Sequence, residues 1–452
     1  MLTRYLLFSL FLLLGFSQVT AQNKITDSNT PLHLLQPDYP IPYGLTQIND
    51  IEGVLEKVYQ YLNEVTPPRL VDKASGSPLK PSQLADGQTR FEKGDFRLTS
   101  YEWGVTYAGM MLATQSTGDV RFADYTYERL GFLSGLFPES KGVFMKDPQA
   151  DFPLKSMISP HALDDAGALC AAMIKAQKSG FQSELDPIIE NFVSYIYSRE
   201  YRLDDGTFAR NRPLKNTLWL DDLFMSVPAL ALYADQSGDT KYMDDAVSQV
   251  LHFSERMFNT QTGIFRHGWV ENSGNAPSYH WARANGWAFM AMVELLSVLP
   301  KNHPEYTKVL SLYQAHAAGL SSFQSNTGFW HQLLDRSDSY LETSATAIFT
   351  YGFAKGINEG WLDYRVYAPL TLLAWNAVAS KVNERGQVEG TCVGTGMGFD
   401  PAFYYHRPTN LYAAHSYGPV MLAGAEMISL LNKHNYEIDE TAVQFKRSIP
   451  KI

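Results

Sequence analysis

The sequence predicts an all-α fold, an (α/α)6 barrel of six inner and six outer helices, on three observations. Turn residues recur at a nearly constant interval. Each turn separates two segments of helical length. The two segments of a pair differ in how apolar they are. The turns are Gly118, Gly180, Gly238, Asn302 and Gly360, spaced by 62, 58, 64 and 58 residues. Glycine or asparagine after an apolar-periodic run is the expected helix stop, because a positive φ costs it little. Similarity at a fixed period marks a repeat architecture.

Ahead of the turns lie helical segments at 99–116, 160–178, 219–236, 283–299 and 340–357. Behind them lie 121–136, 184–198, 240–257, 305–322 and 363–382. A helix over 51–66 opens the series and one over 412–432 closes it, which makes twelve. The first member of a pair is apolar nearly all round, as in MSVPALALY. The second is amphipathic, as in TKYMDDAVSQVLHFSERM. All-round apolar helices are buried and amphipathic ones cover them. An open α-solenoid is the alternative; a count of six pairs with no polar capping repeat favours closure.

The N-terminus reads as a secretory signal peptide over 1–21. Arg4 precedes an apolar run from Tyr5 to Phe16, and Val19-Thr20-Ala21 offers a cleavage site. The run is too short to span a bilayer. Export is therefore expected, to the periplasm, with secretion as the alternative. An extension over 22–48, a barrel domain over 49–435 and a tail over 436–452 complete the organisation.

The formal charge is −10. Acidity argues against nucleic acid or an anionic membrane as partner, though not against a small anionic substrate met by local cations. Cys170 and Cys392 either pair or stay as two buried thiols. No C-x-x-C, H-E-x-x-H or EF-hand spacing occurs, so no metal site can be argued from spacing. The oligomeric state is not readable. The run Gly394 to Gly398 lacks the strand–turn–helix context of a nucleotide loop and reads as a flexible loop.

Polar residues recur at the leading end of each inner segment. They are Glu102, then His161 with Asp164 and Asp165, then Asp221 and Asp222, then Arg283, Glu342 with Ser344, and His415. Equal height on six inner helices means one end of the barrel, where helix N-termini favour anions. Carboxylates in apolar helices are costly unless paired or used. Each could instead be a helix cap. Trp103, Trp219, Trp281 and Trp287 share these positions, and aromatics beside carboxylates suit sugar faces and hydroxyls. The connections returning to this end carry Arg210, Arg212, His267, Trp269, His280, Trp330 and His331. Connections on a rigid scaffold often carry function.

LDDAGALCAAM, LWLDDLFMSVPALALY, FRHGWVENSG with HWARANGWAFMAMVELL, GFWHQLLD with ETSATAIFTYG, and HSYGPVMLAGAEM together resemble glycoside hydrolase family 105, the unsaturated rhamnogalacturonyl hydrolases. That family is related to the unsaturated glucuronyl hydrolases of family 88. The likeness runs from about residue 50 to 432. It implies an (α/α)6 barrel that frees a 4,5-unsaturated uronic acid from the non-reducing end of an acidic oligosaccharide. No metal or organic cofactor is implied. The family's acid/base Asp falls on Asp221. Its second Asp falls on Asp165 by the D-x-G pattern, with Asp164 the adjacent alternative. His267 and Arg283 match its H-G-W and W-x-R-x-N-G-W motifs. Where family members often carry His or Lys, this chain has Arg210-Asn211-Arg212.

On this reading Asp221 needs a raised pKa to donate a proton, with Asp165 as the neighbour that raises it. Arg283, Arg210 and Arg212 orient the uronate. Trp281 and Trp287 stack on the sugar or wall the site, and Trp219 and His331 complete the pocket. The rivals are an ordinary inverting glycosidase, a sugar epimerase using a His pair, and a non-catalytic glycan-binding protein.

Overall fold

A computed structural model describes residues 26, 28–31, 41–42, 44–273, 278–439 and 442–448. The expected signal peptide over 1–21 and most of the expected 22–48 extension lie outside the described residues.

The helices, in chain order, are α1 (Ile48–Val65), α2 (Tyr101–Thr117), α3 (Val120–Lys146), α4 (Lys155–Ile158), α5 (Gly167–Lys178), α6 (Asp186–Ser198) and α7 (Val227–Ser237). They continue with α8 (Thr240–Met257), α9 (Ala282–Val298), α10 (Tyr306–Ser321), α11 (Thr343–Asn358), α12 (Tyr364–Ala379), α13 (Pro401–Tyr405) and α14 (Tyr417–Lys433). Packing follows a closed ring: α2 on α5, α5 on α7, α7 on α9, α9 on α11, α11 on α14, and α14 back on α2. The outer helices α1, α3, α6, α8, α10 and α12 each lie against an inner one. The solenoid alternative is thereby removed.

Burial follows the apolar pattern. Inner helix α9 is buried at every position from Ala282 to Leu296. Outer helix α8 buries Met243, Ala246, Val247, Val250, Phe253 and Met257, a single stripe at helical spacing, and turns its charges to water. The turns work as the repeat requires. Gly118 and Gly238 end α2 and α7 in the left-handed region at φ 77° and 75°. The next residues, Asp119 and Asp239, cap α3 and α8 by accepting the backbone N–H of Arg121 and Lys241. Asn302 departs from this scheme. Its φ is not positive, and α9 instead closes at Leu299 ahead of Pro300.

Two features were not expected. Helix α3 runs on to Lys146, past the predicted end at 136 and through Pro138. Residues His434–Asp439 and Ala442–Arg447 pair as an antiparallel hairpin where a tail was expected. The hairpin packs on α12 and buries Val443 and Phe445. Both cysteines are free and buried. Among the described residues no helix is long and apolar enough to cross a membrane.

Short antiparallel ladders tie down the connections at the leading ends of the inner helices. Thr217–Trp219 pairs with Gly268–Val270, and Trp330–His331 with Leu341–Glu342. The approach of α5 to the chain ahead of α7 is so close that a Cβ on Gly167 would overlap the Met225 carbonyl. That contact brings the two aspartate pairs together.

Candidate active site

Six chain segments deliver polar side chains to one mouth of the barrel. A 3-10 turn, Leu220–Leu223, precedes α7 and carries Asp221 and Asp222. The turn points them in different directions. Asp221 Oδ2 lies 3.0 Å from His267 Nε2, and the Asp221 side chain is 13% exposed. His267 is fully buried, and its Nδ1 lies 2.7 Å from the Tyr404 hydroxyl. Tyr404 accepts the Gly398 N–H at 3.0 Å, and its hydroxyl lies between His267 Nδ1 and the Gly398 carbonyl. Burial pushes the Asp221 carboxyl up. The hydrogen bond and charge of His267 outweigh it, with Arg210 and Arg283 adding to them, and hold Asp221 below the usual carboxylate range. The raised pKa expected of Asp221 is therefore not a property of the empty site.

Asp222 belongs to a different network. Arg210 Nε donates to its two oxygens at 3.1 and 2.9 Å. The same guanidinium reaches Asp164, with Nη1 3.2 Å from Oδ2. Burial pushes Asp222 up to about 6, against the pull of Arg210. It is still mostly a carboxylate at neutral pH, which the pair requires. Arg210 is thus spent on two carboxylates and stacks on Trp219 at 4.4 Å. It is not free to grip a uronate.

Of the two adjacent aspartates it is Asp164, not Asp165, that shares Arg210 with Asp222. Both sit in the 3-10 turn Leu163–Asp165. Asp165 turns away and holds His161, accepting its backbone N–H at 3.0 Å and meeting its Nδ1 at 2.7 Å. Asp164 joins the cluster through Arg210, and its charge acts together with that of Asp221 on the buried Tyr101 hydroxyl.

Arg283 is also corrected. It is 1% exposed and donates to the Cys392 and Val393 carbonyls, both at 2.7 Å, and to Ser344 Oγ at 3.2 Å. It anchors the segment carrying Gly394 to Gly398 rather than a ligand. That segment is therefore built into the mouth. A Cβ on Gly268 would overlap Met397 Sδ, and one on Gly396 would lie 3.2 Å from the Trp219 ring. Trp281 and Trp287 are each 1% exposed and do not offer a face to a sugar. Trp281 lies under His267 at 4.7 Å, and Trp287 stacks on Phe224 at 5.1 Å. Both wall the site from within. His331 gives its Nδ1 to the Ser339 carbonyl, away from the Asp221 cluster.

Arg212 remains as the available cation. It is exposed, lies 5.1 Å over the half-buried Trp219 ring, and has no carboxylate partner among the described residues. With Arg210, Asn211, Asp222, His161 and Tyr201 it lines a cavity of about 420 Å³, enough to admit sugar rings. At the leading ends of α2 and α14, Tyr101 lies 2.7 Å from His415 Nε2, with Glu102 Oε1 3.4 Å from the same nitrogen. Tyr101 and Tyr404 were not singled out in the sequence. Among the described residues no group of three or more His, Cys, Asp or Glu could hold a metal ion.

A closed ring of twelve helices with this acidic, arginine-bridged mouth defines an (α/α)6 barrel built around a polar sugar-sized pocket. The family model described as Glycosyl Hydrolase Family 88 matches residues 80–431, and the chain belongs to that family. An unsaturated 3S-rhamnoglycuronyl hydrolase of Alteromonas sp. is 29% identical over 215 residues, 46% of this chain and 51% of the relative. The unsaturated rhamnogalacturonyl hydrolase YesR of Bacillus subtilis is 28% identical over 180 residues, 40% of this chain and 50% of the relative. The chain spans about half the length of these curated relatives. A Klebsiella pneumoniae structure described as a possible member of the GH105 family superposes with a TM-score of 0.68 at 23% identity, covering 88% of this chain and 96% of that one. The unsaturated glucuronyl hydrolase of Bacillus sp. GL1 gives 0.57 at 15%, covering 83% and 96%. These two likenesses establish the fold.

Proposed function

We propose that this protein is a glycoside hydrolase that releases a 4,5-unsaturated uronic acid from the non-reducing end of lyase-generated oligosaccharides. The relatives' names support this substrate class. The observation that carries it is the partly exposed Asp221 carboxylate, held 3.0 Å from His267 and next in the chain to Asp222, which lines the same cavity as the unpaired cation Arg212.

The C4=C5 bond of such a sugar is a vinyl ether. Asp221 gives a proton to C4, which leaves an oxocarbenium at C5. Water adds at C5 and gives its proton back to the Asp221 carboxylate. The resulting hemiketal opens and the aglycone leaves. Asp221 enters the empty site ionised. A bound uronate brings a like charge and displaces water, and both raise its pKa toward what a donor needs. Arg212 holds the substrate's carboxylate at the rim, where a guanidinium can grip it with two N–H groups. His267, fixed by Tyr404, sets the position of Asp221. Export to the periplasm through residues 1–21 belongs to the same reading, because it would bring the enzyme to small lyase products.

The test is a panel of lyase-generated disaccharides followed by ultraviolet absorbance. Loss of absorbance together with aglycone release supports the hydrolase. Release with the absorbance retained points to an ordinary inverting glycosidase, which leaves the double bond intact.

A further inference from the structure

A second groove, of about 360 Å³, lies beside the mouth and is not used by the mechanism above. Its cations are Lys73, Arg90, Lys93 and Arg97. Lys73 is paired with Asp151 at 3.1 Å, and the groove's Glu92 is paired with Arg69. Arg90, Lys93 and Arg97 have no carboxylate partner among the described residues. A local cationic groove in a chain of formal charge −10 runs against the average field of the protein. Its floor is rigid. Phe91 packs on Phe132 at 5.3 Å, and Phe96 stacks on Trp103 of α2 at 4.7 Å. Both phenylalanines stay half-buried, with surface left for a sugar face.

The chain that lines the groove runs directly on to the active-site mouth. Thr99 lines the groove, and Tyr101, two residues further on, meets His415 in the acidic cluster. Two residues span at most about 7 Å of chain, roughly one sugar ring. A chain of sugars leaving the cleaved bond in this direction would meet the three cations next.

Resting on the function proposed above, we propose that this groove is an additional subsite for the aglycone, taking an oligosaccharide whose later sugars also carry negative charge. The chemistry recognised is a repeated anionic group on a sugar, either a uronate or a sulfate ester. The preferred substrate is then a polyanionic oligosaccharide longer than a disaccharide.

The double variant Lys93→Ala/Arg97→Ala tests this, because both side chains are exposed and neither belongs to the catalytic cluster. Wild type and variant are compared on an unsaturated disaccharide and on the matching tetrasaccharides, one carrying only uronates and one sulfated. KM for the tetrasaccharides should rise on the order of tenfold in the variant, with the disaccharide unchanged. Whichever tetrasaccharide shows the larger rise identifies the anion. Equal kcat/KM for all substrates in both proteins would overturn the proposal. Calorimetric binding of a saturated tetrasaccharide separates the two claims. Its loss in the variant supports the groove even if no unsaturated substrate is hydrolysed, and equal binding to both proteins removes it.

Discussion

His267 presents Nε2 to Asp221 at 3.0 Å while its Nδ1 meets the Tyr404 hydroxyl at 2.7 Å. The three residues come from a 3-10 turn, the connection ahead of α9, and α13, so the relay is assembled only by the folded barrel. It fixes Asp221 Oδ2 against the imidazole. It also holds the carboxyl below its ordinary range before substrate arrives.

Replacing Asp221 should therefore abolish chemistry and spare the fold. Asp221→Asn is isosteric and keeps a group that can accept from His267. We expect kcat to fall by about 10³-fold or more, with an unchanged thermal midpoint, checked by absorbance kinetics and calorimetry. A variant with near-full kcat would remove Asp221 from the donor role.

The pH profiles should separate free enzyme from complex. A donor must carry its proton, so activity falls as pH rises through its pKa. The limb of kcat/KM reports the free enzyme, and that of kcat the complex. His267 holds Asp221 low, and on the proposed mechanism a bound uronate raises it. The kcat limb should therefore lie at the higher pH. His267→Asn removes the main lowering contact and should move the kcat/KM limb upward. Coincident limbs in both proteins would contradict the arrangement.

Arg283 should behave as an anchor. Arg283→Lys keeps the charge but cannot bridge the Cys392 and Val393 carbonyls and Ser344 together. Its loss should lower stability by about 2–4 kcal/mol and free the Gly394 to Gly398 segment, with kcat reduced. Urea melts with proteolysis at that segment provide the check. Arg212→Ala should do the reverse, raising KM by about tenfold while kcat and the melt stay near wild type. Arg212→Lys should recover part of the KM.

The Arg210–Asp222 pair should prove structural. Asp222 is 1% exposed and buries its charge against Arg210. Asp222→Ala leaves that guanidinium with Asp164 alone, at a cost of about 3–5 kcal/mol in urea unfolding. The double variant Arg210→Met/Asp222→Leu should recover most of it.

All twelve barrel helices were legible, because all-round apolar and amphipathic segments alternate and Gly118, Gly180, Gly238 and Gly360 punctuate them. Asn302 was misread because the chain stops α9 with Pro300 and needs no left-handed residue there. Within the candidate site, motif spacing singled out Asp221 and His267, which the fold places 3.0 Å apart. It could not choose between Asp164 and Asp165, since adjacent residues of one 3-10 turn point to different partners and only the tertiary positions of Arg210 and His161 decide. Arg283 looked like a free cation because its partners, Cys392 and Val393, lie 109 and 110 residues away. The same holds for Tyr404, 137 residues from His267. Of the two roles offered for Trp281 and Trp287, stacking on a sugar or walling the site, burial leaves the second, because Trp287 lies within inner helix α9 and Trp281 directly ahead of it.

The most direct test of the central claim is hydrolysis of an unsaturated disaccharide in deuterium oxide, read by nuclear magnetic resonance. Proton donation from Asp221 to C4 predicts one deuteron placed stereospecifically at C4 of the released sugar, and no product from Asp221→Asn. Aglycone release with the C4=C5 bond intact and no deuterium at C4 would contradict it.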